Sequence, residues 1–163
     1  MARLNIVISV LFSAMLTVAF EADASGIKKA GKLYEEENYD EAVEQYDRVL
    51  LKNPEDSFAQ YNRAAALYRK RAFAEAEEGF LKSLSSGKEE IEEKSVYNVG
   101  NSKYRLGEET EGRDPQTALN NYKQAVQYYQ RAVELAPGDA DAKYNYELTN
   151  KKIKELQEKN GAG

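Results

Sequence analysis

Three stretches of the chain share one arrangement of apolar and polar positions. Tyr39–Ala42–Tyr46, Phe73–Ala76–Phe80 and Tyr122–Ala125–Tyr129 each place an aromatic, an alanine three residues on and a second aromatic four further, with mainly polar residues between. Spacings of three and four keep such residues on one side of an α-helix. The stretch before each carries a matching pattern: Ala30, Ala64 and Gly100 are followed four residues later by Tyr34, Tyr68 and Tyr104. The pattern predicts pairs of antiparallel helices. A small residue on each partner lets the backbones approach at the crossing, and the flanking aromatics fill the space between neighbouring pairs. Ala42 and Ala76 lie 34 residues apart, and Pro54 and Pro137 each follow their alanine by twelve, where proline ends a helix.

The third unit is longer. Eighteen steps separate Gly107 from Ala125, against five between Glu37 and Ala42, which puts an insertion at about 108–120. Within it, Asp114 before Pro115 reads as an N-cap followed by proline at the first helical position, so the second helix is expected to run from there to about Leu135. After Pro137 a first-helix pattern restarts without a second helix to follow. Ala142, Tyr146, Thr149, Ile153 and Leu156 form one apolar stripe, opposed by Lys and Glu. This predicts a terminal capping helix over 140–158, since an array needs a polar end, with 159–163 as a flexible tail.

A repeat of about 34 residues with small residues at the helix crossings resembles the tetratricopeptide family, over roughly Ala24 to Leu148. The resemblance implies an all-α, right-handed α-solenoid of three helical hairpins plus the capping helix, with units at about 25–56, 57–92 and 93–139. Two departures weaken single repeats. Gly26, Gln60 and Val96 stand where an early aromatic is usual, and the second unit ends in Ser85-Ser86-Gly87 in place of a proline.

The first 24 residues follow a different rule. Arg3 is followed by the uncharged run Ile6–Phe20 and then by Ala22-Asp23-Ala24, the order of charge, apolar core and small-residue cleavage site found in a secretory signal peptide. The expectation is export to the periplasm, with cleavage after Ala24 and no membrane span left afterwards.

Composition narrows the chemistry. The 163 residues include no cysteine and no histidine, which removes thiol nucleophiles, thiolate zinc sites and the commonest general base. Pairs such as Asp40-Glu41 and Glu89-Glu90 read as solvated helix faces, and no phosphate loop, EF-hand or zinc spacing is present. A formal charge of −5 argues against a nucleic-acid binder. The expectation is a non-enzyme with no metal and no cofactor.

In the family's geometry the first helices line a concave groove. Counting units from Ser57, Glu93 and Ala140, the groove positions hold Phe58, Tyr61, Asn62, Tyr68 and Arg69 in the second unit. The third unit offers Lys94, Tyr97, Asn98, Asn101, Tyr104 and Arg105, and the terminal helix Tyr144 and Asn145. An asparagine repeated at the sixth place has an amide able to pair with the backbone of any extended peptide, while tyrosines give rigid amphipathic contact area. A chaperone-type carboxylate clamp is not met: Ile27 and Gly31 stand where lysine and asparagine are required, and Asn98 where a basic residue belongs.

The ending Asp141–Leu148 (DAKYNYEL) and the segment Val96–Gly107 resemble the periplasmic tetratricopeptide proteins of bacterial aerotolerance (Bat) operons. That resemblance implies an exported scaffold or adaptor, gripping a protein or extended peptide and assembling with membrane-bound von Willebrand A-domain proteins. The alternative expectation is a self-associating module of the envelope, acting through its convex face or terminal helix.

Overall fold

A computed structural model of the chain describes residues 25–84 and 87–161; the expected signal peptide, residues 1–24, lies outside them. The described residues are helical throughout, with no strand. The helices are α1 (residues 25–35), α2 (Tyr39–Lys52), α3 (Ser57–Arg69), α4 (Phe73–Leu84), α5 (Glu89–Thr110), α6 (Pro115–Leu135) and α7 (Ala140–Gly161). From α2 onward each packs on the next in sequence, and α3 also touches α5. The fold is an α-solenoid of hairpins closed by α7. None of the described helices is long and apolar enough to cross a membrane.

The aromatic pattern becomes a repeated contact. In each hairpin a tyrosine of the first helix meets an aromatic of the second, which opens α2 and α4 but lies two turns into α6. Tyr34 lies 5.4 Å from Tyr39, Tyr68 5.2 Å from Phe73 and Tyr104 5.3 Å from Tyr122, all tilted or edge-on, the geometry aromatic quadrupoles favour. The crossings are tight where the sequence places small residues. Ala30, Ala64, Ala42, Ala76 and Ala125 are completely buried, and Gly100 lies under the Tyr129 ring. Further close approaches occur at Gly79, against Ala64, and at Gly107, against Tyr122.

Equivalent turns connect the two helices within each of the first two hairpins. Glu37 and Arg71 adopt left-handed backbone, with φ of 61° and 65°. The following amides, Asn38 and Ala72, donate back to the Leu33 and Leu67 carbonyls at 2.9 and 3.0 Å. This is the helix-ending hydrogen-bond pattern that usually recruits glycine. Farther along, the Ser83 hydroxyl donates to the Phe80 carbonyl and sits 2.6 Å from the Ser95 hydroxyl, joining α4 to α5 inside the protein. Lys103 of α5 and Glu77 of α4 form a mostly buried ion pair at 2.9 Å.

The third hairpin shows what the extra residues build. Asp114 caps α6, its carboxylate accepting from the Thr117 amide at 3.0 Å, with Pro115 in the first turn. The insertion is not a loop. α5 runs five residues past Arg105, the counterpart of the last residue of α3, and α6 starts seven before Tyr122, the counterpart of the first residue of α4. Both helices are thereby lengthened and the hairpin projects beyond its neighbours. α7 covers the projection: Leu156 and Ile153 join Ala118, Leu119, Tyr122 and Tyr104 in a small apolar cluster. α7 also continues to Gly161, three residues past the expected boundary at 158, while 162–163 lie outside the described residues.

Candidate binding groove

α3, α5 and α7 present their groove positions along one side, and side-chain hydrogen bonds run between them. The Asn98 amide donates to the Tyr61 hydroxyl at 3.0 Å, and the Asn145 amide to the Tyr97 hydroxyl at 2.9 Å. In each pair the asparagine at the sixth place of one first helix holds the tyrosine at the fifth place of the helix before it. Asn101 joins the two pairs. Its amide donates to Asn98 at 3.2 Å, and its carbonyl accepts from the Tyr129 hydroxyl at 2.8 Å and from Asn145 at 3.4 Å. The rings behind these hydroxyls are packed, Tyr61 on Phe80 at 5.4 Å and Tyr97 on Tyr129 at 5.9 Å. Burial raises the Tyr61, Tyr97 and Tyr129 hydroxyls above the usual tyrosine range, so they stay neutral donors and acceptors.

Asn98 and Asn145 are thus engaged inside the protein, in contacts that repeat spacing in sequence does not reveal. Asn62 differs. The fifth place before it is Ile27, which has no hydroxyl, and the Asn62 side chain makes no hydrogen bond among the described residues.

Tyr68, Asn101, Tyr104, Arg105 and Asn145 line a cavity of about 290 Å³ together with Glu108, Tyr129, Leu148 and Thr149. Arg105 sits at its rim, donating through Nε to the Tyr68 hydroxyl at 3.4 Å and through Nη1 to Glu108 at 2.7 Å. Those bonds, to Tyr68 first and then to Glu108, hold the guanidinium more firmly protonated than usual. The cavity therefore offers ring faces, one aliphatic wall and a cation at the edge. It suits a short stretch of extended chain with an apolar side chain and a nearby acceptor.

The other anticipated residues lie outside this cavity. Arg69 sits over the Tyr39 ring at 5.2 Å and reaches Glu37 at 4.0 Å. Lys94 pairs with Glu90 at 3.1 Å. Phe58 is exposed, with the Lys88 ammonium 4.7 Å above its ring. Tyr144 is 63% exposed on α7. Glu108, Tyr129, Leu148 and Thr149 line the cavity without having been anticipated from the sequence; Leu148 holds the ninth place of α7, the equivalent of Asn101 in α5. A larger cleft of about 620 Å³ lies between α2, α3 and α4. None of the anticipated residues lines it, and its basic groups are already paired, Arg63 with Asp47 at 2.5 Å and Lys82 with Glu78 at 2.7 Å.

A family model described as tetratricopeptide repeat matches residues 28–88. Curated protein sequences give no match. Among solved structures, the Arabidopsis OM64 tetratricopeptide domain superposes with a TM-score of 0.68 at 24% identity, over 82% of this chain and 98% of that one. The first tetratricopeptide domain of Spaghetti (RPAP3), bound to the HSP90 peptide SRMEEVD, gives 0.67 at 21% identity over 80% and 92%. The second such domain of human RPAP3, in complex with the HSP70 peptide SGPTIEEVD, gives 0.67 at 18% over 81% and 98%. At these identities the structures establish a shared fold. The repeat matched over residues 28–88 and this fold are what the chain has in common with tetratricopeptide repeat proteins.

Proposed function

We propose that the protein is an exported scaffold that holds a partner protein, through an extended segment, in the groove lined by α3, α5 and α7. It acts by binding and not by catalysis. The observation that carries this reading is the cavity bounded by Tyr68, Tyr104, Tyr129 and Leu148 with Arg105 at its edge. It combines rigid aromatic area with a charge-assisted donor, the mix that gives recognition sites both affinity and orientation.

The solved relatives include domains bound to peptides ending in EEVD. This groove is built differently from a carboxylate clamp. Ile27 and Gly31 fill two of the positions the clamp needs, and Asn98 is engaged with Tyr61 and Asn101. The ligand we propose is therefore an internal extended segment with an apolar side chain, not a free C-terminus.

The N-terminal signal pattern and the likeness of the Asp141–Leu148 ending to Bat-operon proteins favour the periplasm and a complex with membrane-bound von Willebrand A-domain proteins. The test is recovery of partners from native envelope by the tagged protein, compared with a Tyr68→Ser/Arg105→Glu variant. The reading requires the variant to lose the partner while keeping its helical circular dichroism. Equal recovery by both proteins would end it.

A further inference from the structure

α7 leaves the array with an uncovered edge. Asp141, Tyr144, Leu148 and Lys151 occupy its second, fifth, ninth and twelfth places, and spacings of three, four and three set them on one side of the helix. In α3 and α5 the tyrosine of the fifth place is half-buried, and its hydroxyl accepts from an asparagine of the next first helix. Tyr144 holds that place in α7, is 63% exposed, and its hydroxyl has no partner among the described residues. Leu148, one turn on, is 37% exposed and also borders the groove cavity, so the edge adjoins the proposed binding site. The opposite side of α7 is committed: Ala142, Thr149 and Leu156 are buried against the protein's own helices.

We propose that this edge receives a second copy of the chain, the two α7 helices lying antiparallel about a two-fold axis. The order of the stripe favours this occupant. It reads acidic, aromatic, aliphatic, basic, which complements itself only when run backwards. An antiparallel register centred on Tyr146 sets Tyr144 against Leu148 of the second copy and Asp141 against Lys151 of the second copy. Symmetry makes each contact twice. A parallel pairing would oppose Asp141 to Asp141 and Lys151 to Lys151.

Both charged residues are available. Asp141 is exposed, and Lys151, its side chain 74% exposed, has only a 3.7 Å pairing with Glu155 one turn along its own helix. Such a pair is weak and readily exchanged. One helix pair buries less than the roughly 1,200 Å² of a stable interface, so the dimer forms reversibly as concentration rises.

Sedimentation equilibrium of the purified protein over a wide concentration range tests this. The wild type is expected to climb from the chain mass to twice that mass. Lys151→Asp opposes two carboxylates at both ends of the contact and raises the dissociation constant by about tenfold. The exchanged pair Asp141→Lys/Lys151→Asp restores the wild-type curve. Circular dichroism establishes that each variant folds. A wild type that stays at the chain mass, a Lys151→Asp curve that overlays the wild type, or a folded double variant that does not recover would overturn the proposal. So would a partner of different sequence occupying this edge while the chain remains monomeric.

Discussion

The Asn145 side-chain amide donates to the Tyr97 hydroxyl over 2.9 Å, tying α7 to α5 across 48 residues of sequence. It repeats, one unit on, the bond from Asn98 to Tyr61. The recurring Tyr-Asn pair is therefore a latch between successive first helices before it is anything else, and it makes the groove wall one continuous hydrogen-bonded surface.

Removing a latch and removing its unlatched counterpart have different costs. Asn145→Ala deprives the Tyr97 hydroxyl of its donor and Asn101 of one contact, an expected loss of about 1 kcal/mol. That corresponds to a fall in Tm of about 2–4 °C for a chain of this size. Asn62→Ala removes no hydrogen bond within the described residues and should lie within about 0.5 kcal/mol of wild type. Thermal denaturation of the two variants side by side is the check, and equal melting would show that the latch carries no stability.

Gly107 is a packing requirement and not a helix end. A Cβ there would stand 2.5 Å from the Tyr122 ring, which is completely buried and fixed through its hydroxyl to Glu111 at 2.7 Å. Gly107→Ala should therefore cost about 1–2 kcal/mol, because overpacking outweighs the better helix propensity of alanine. Gly112→Ala, in the turn of the same hairpin with nothing within 4 Å of its added Cβ, should be neutral or slightly stabilising. Chemical denaturation of both variants measures the contrast.

How far the sequence could be read follows from the same residues. Ala42, Ala76 and Ala125 announce the crossings because only a small side chain fits where two backbones meet. Asp114-Pro115 announces the start of α6 because its capping chemistry is local. Gly107 carries no local signal of its role: α5 continues past it to Thr110, and the glycine serves a ring that arrives from fifteen residues later. The engagement of Asn98 and Asn145 was likewise hidden, since it depends on hydroxyls 37 and 48 residues away. The cavity was partly legible: Tyr68, Tyr104 and Arg105 follow from repeat position, whereas Tyr129 reads in sequence as a packing aromatic alone.

The projecting hairpin should confer an acid sensitivity. Burial works against the Glu111 carboxylate, but hydrogen bonds from Tyr122 and from Lys152, the latter at 2.9 Å, outweigh it and leave the carboxyl below its usual range. A carboxyl depressed on folding contributes stability above its unfolded pKa of about 4.3, and that contribution fades as pH falls through the folded value. Glu111→Gln should accordingly be about 1 kcal/mol less stable than wild type at neutral pH, with the gap closing below about pH 4. Denaturation midpoints of the two proteins across that range decide it.

The proposed function puts the gripping surface on the first helices. A photo-reactive amino acid placed in turn at Arg69 and Arg105 on the groove side, and at Leu51 and Glu75 on the second helices, reports which face touches the partner in native envelope. One common cross-linked species is expected from Arg69 and Arg105, and none from Leu51 or Glu75. The reverse pattern, with cross-links from the second-helix positions alone, would contradict it.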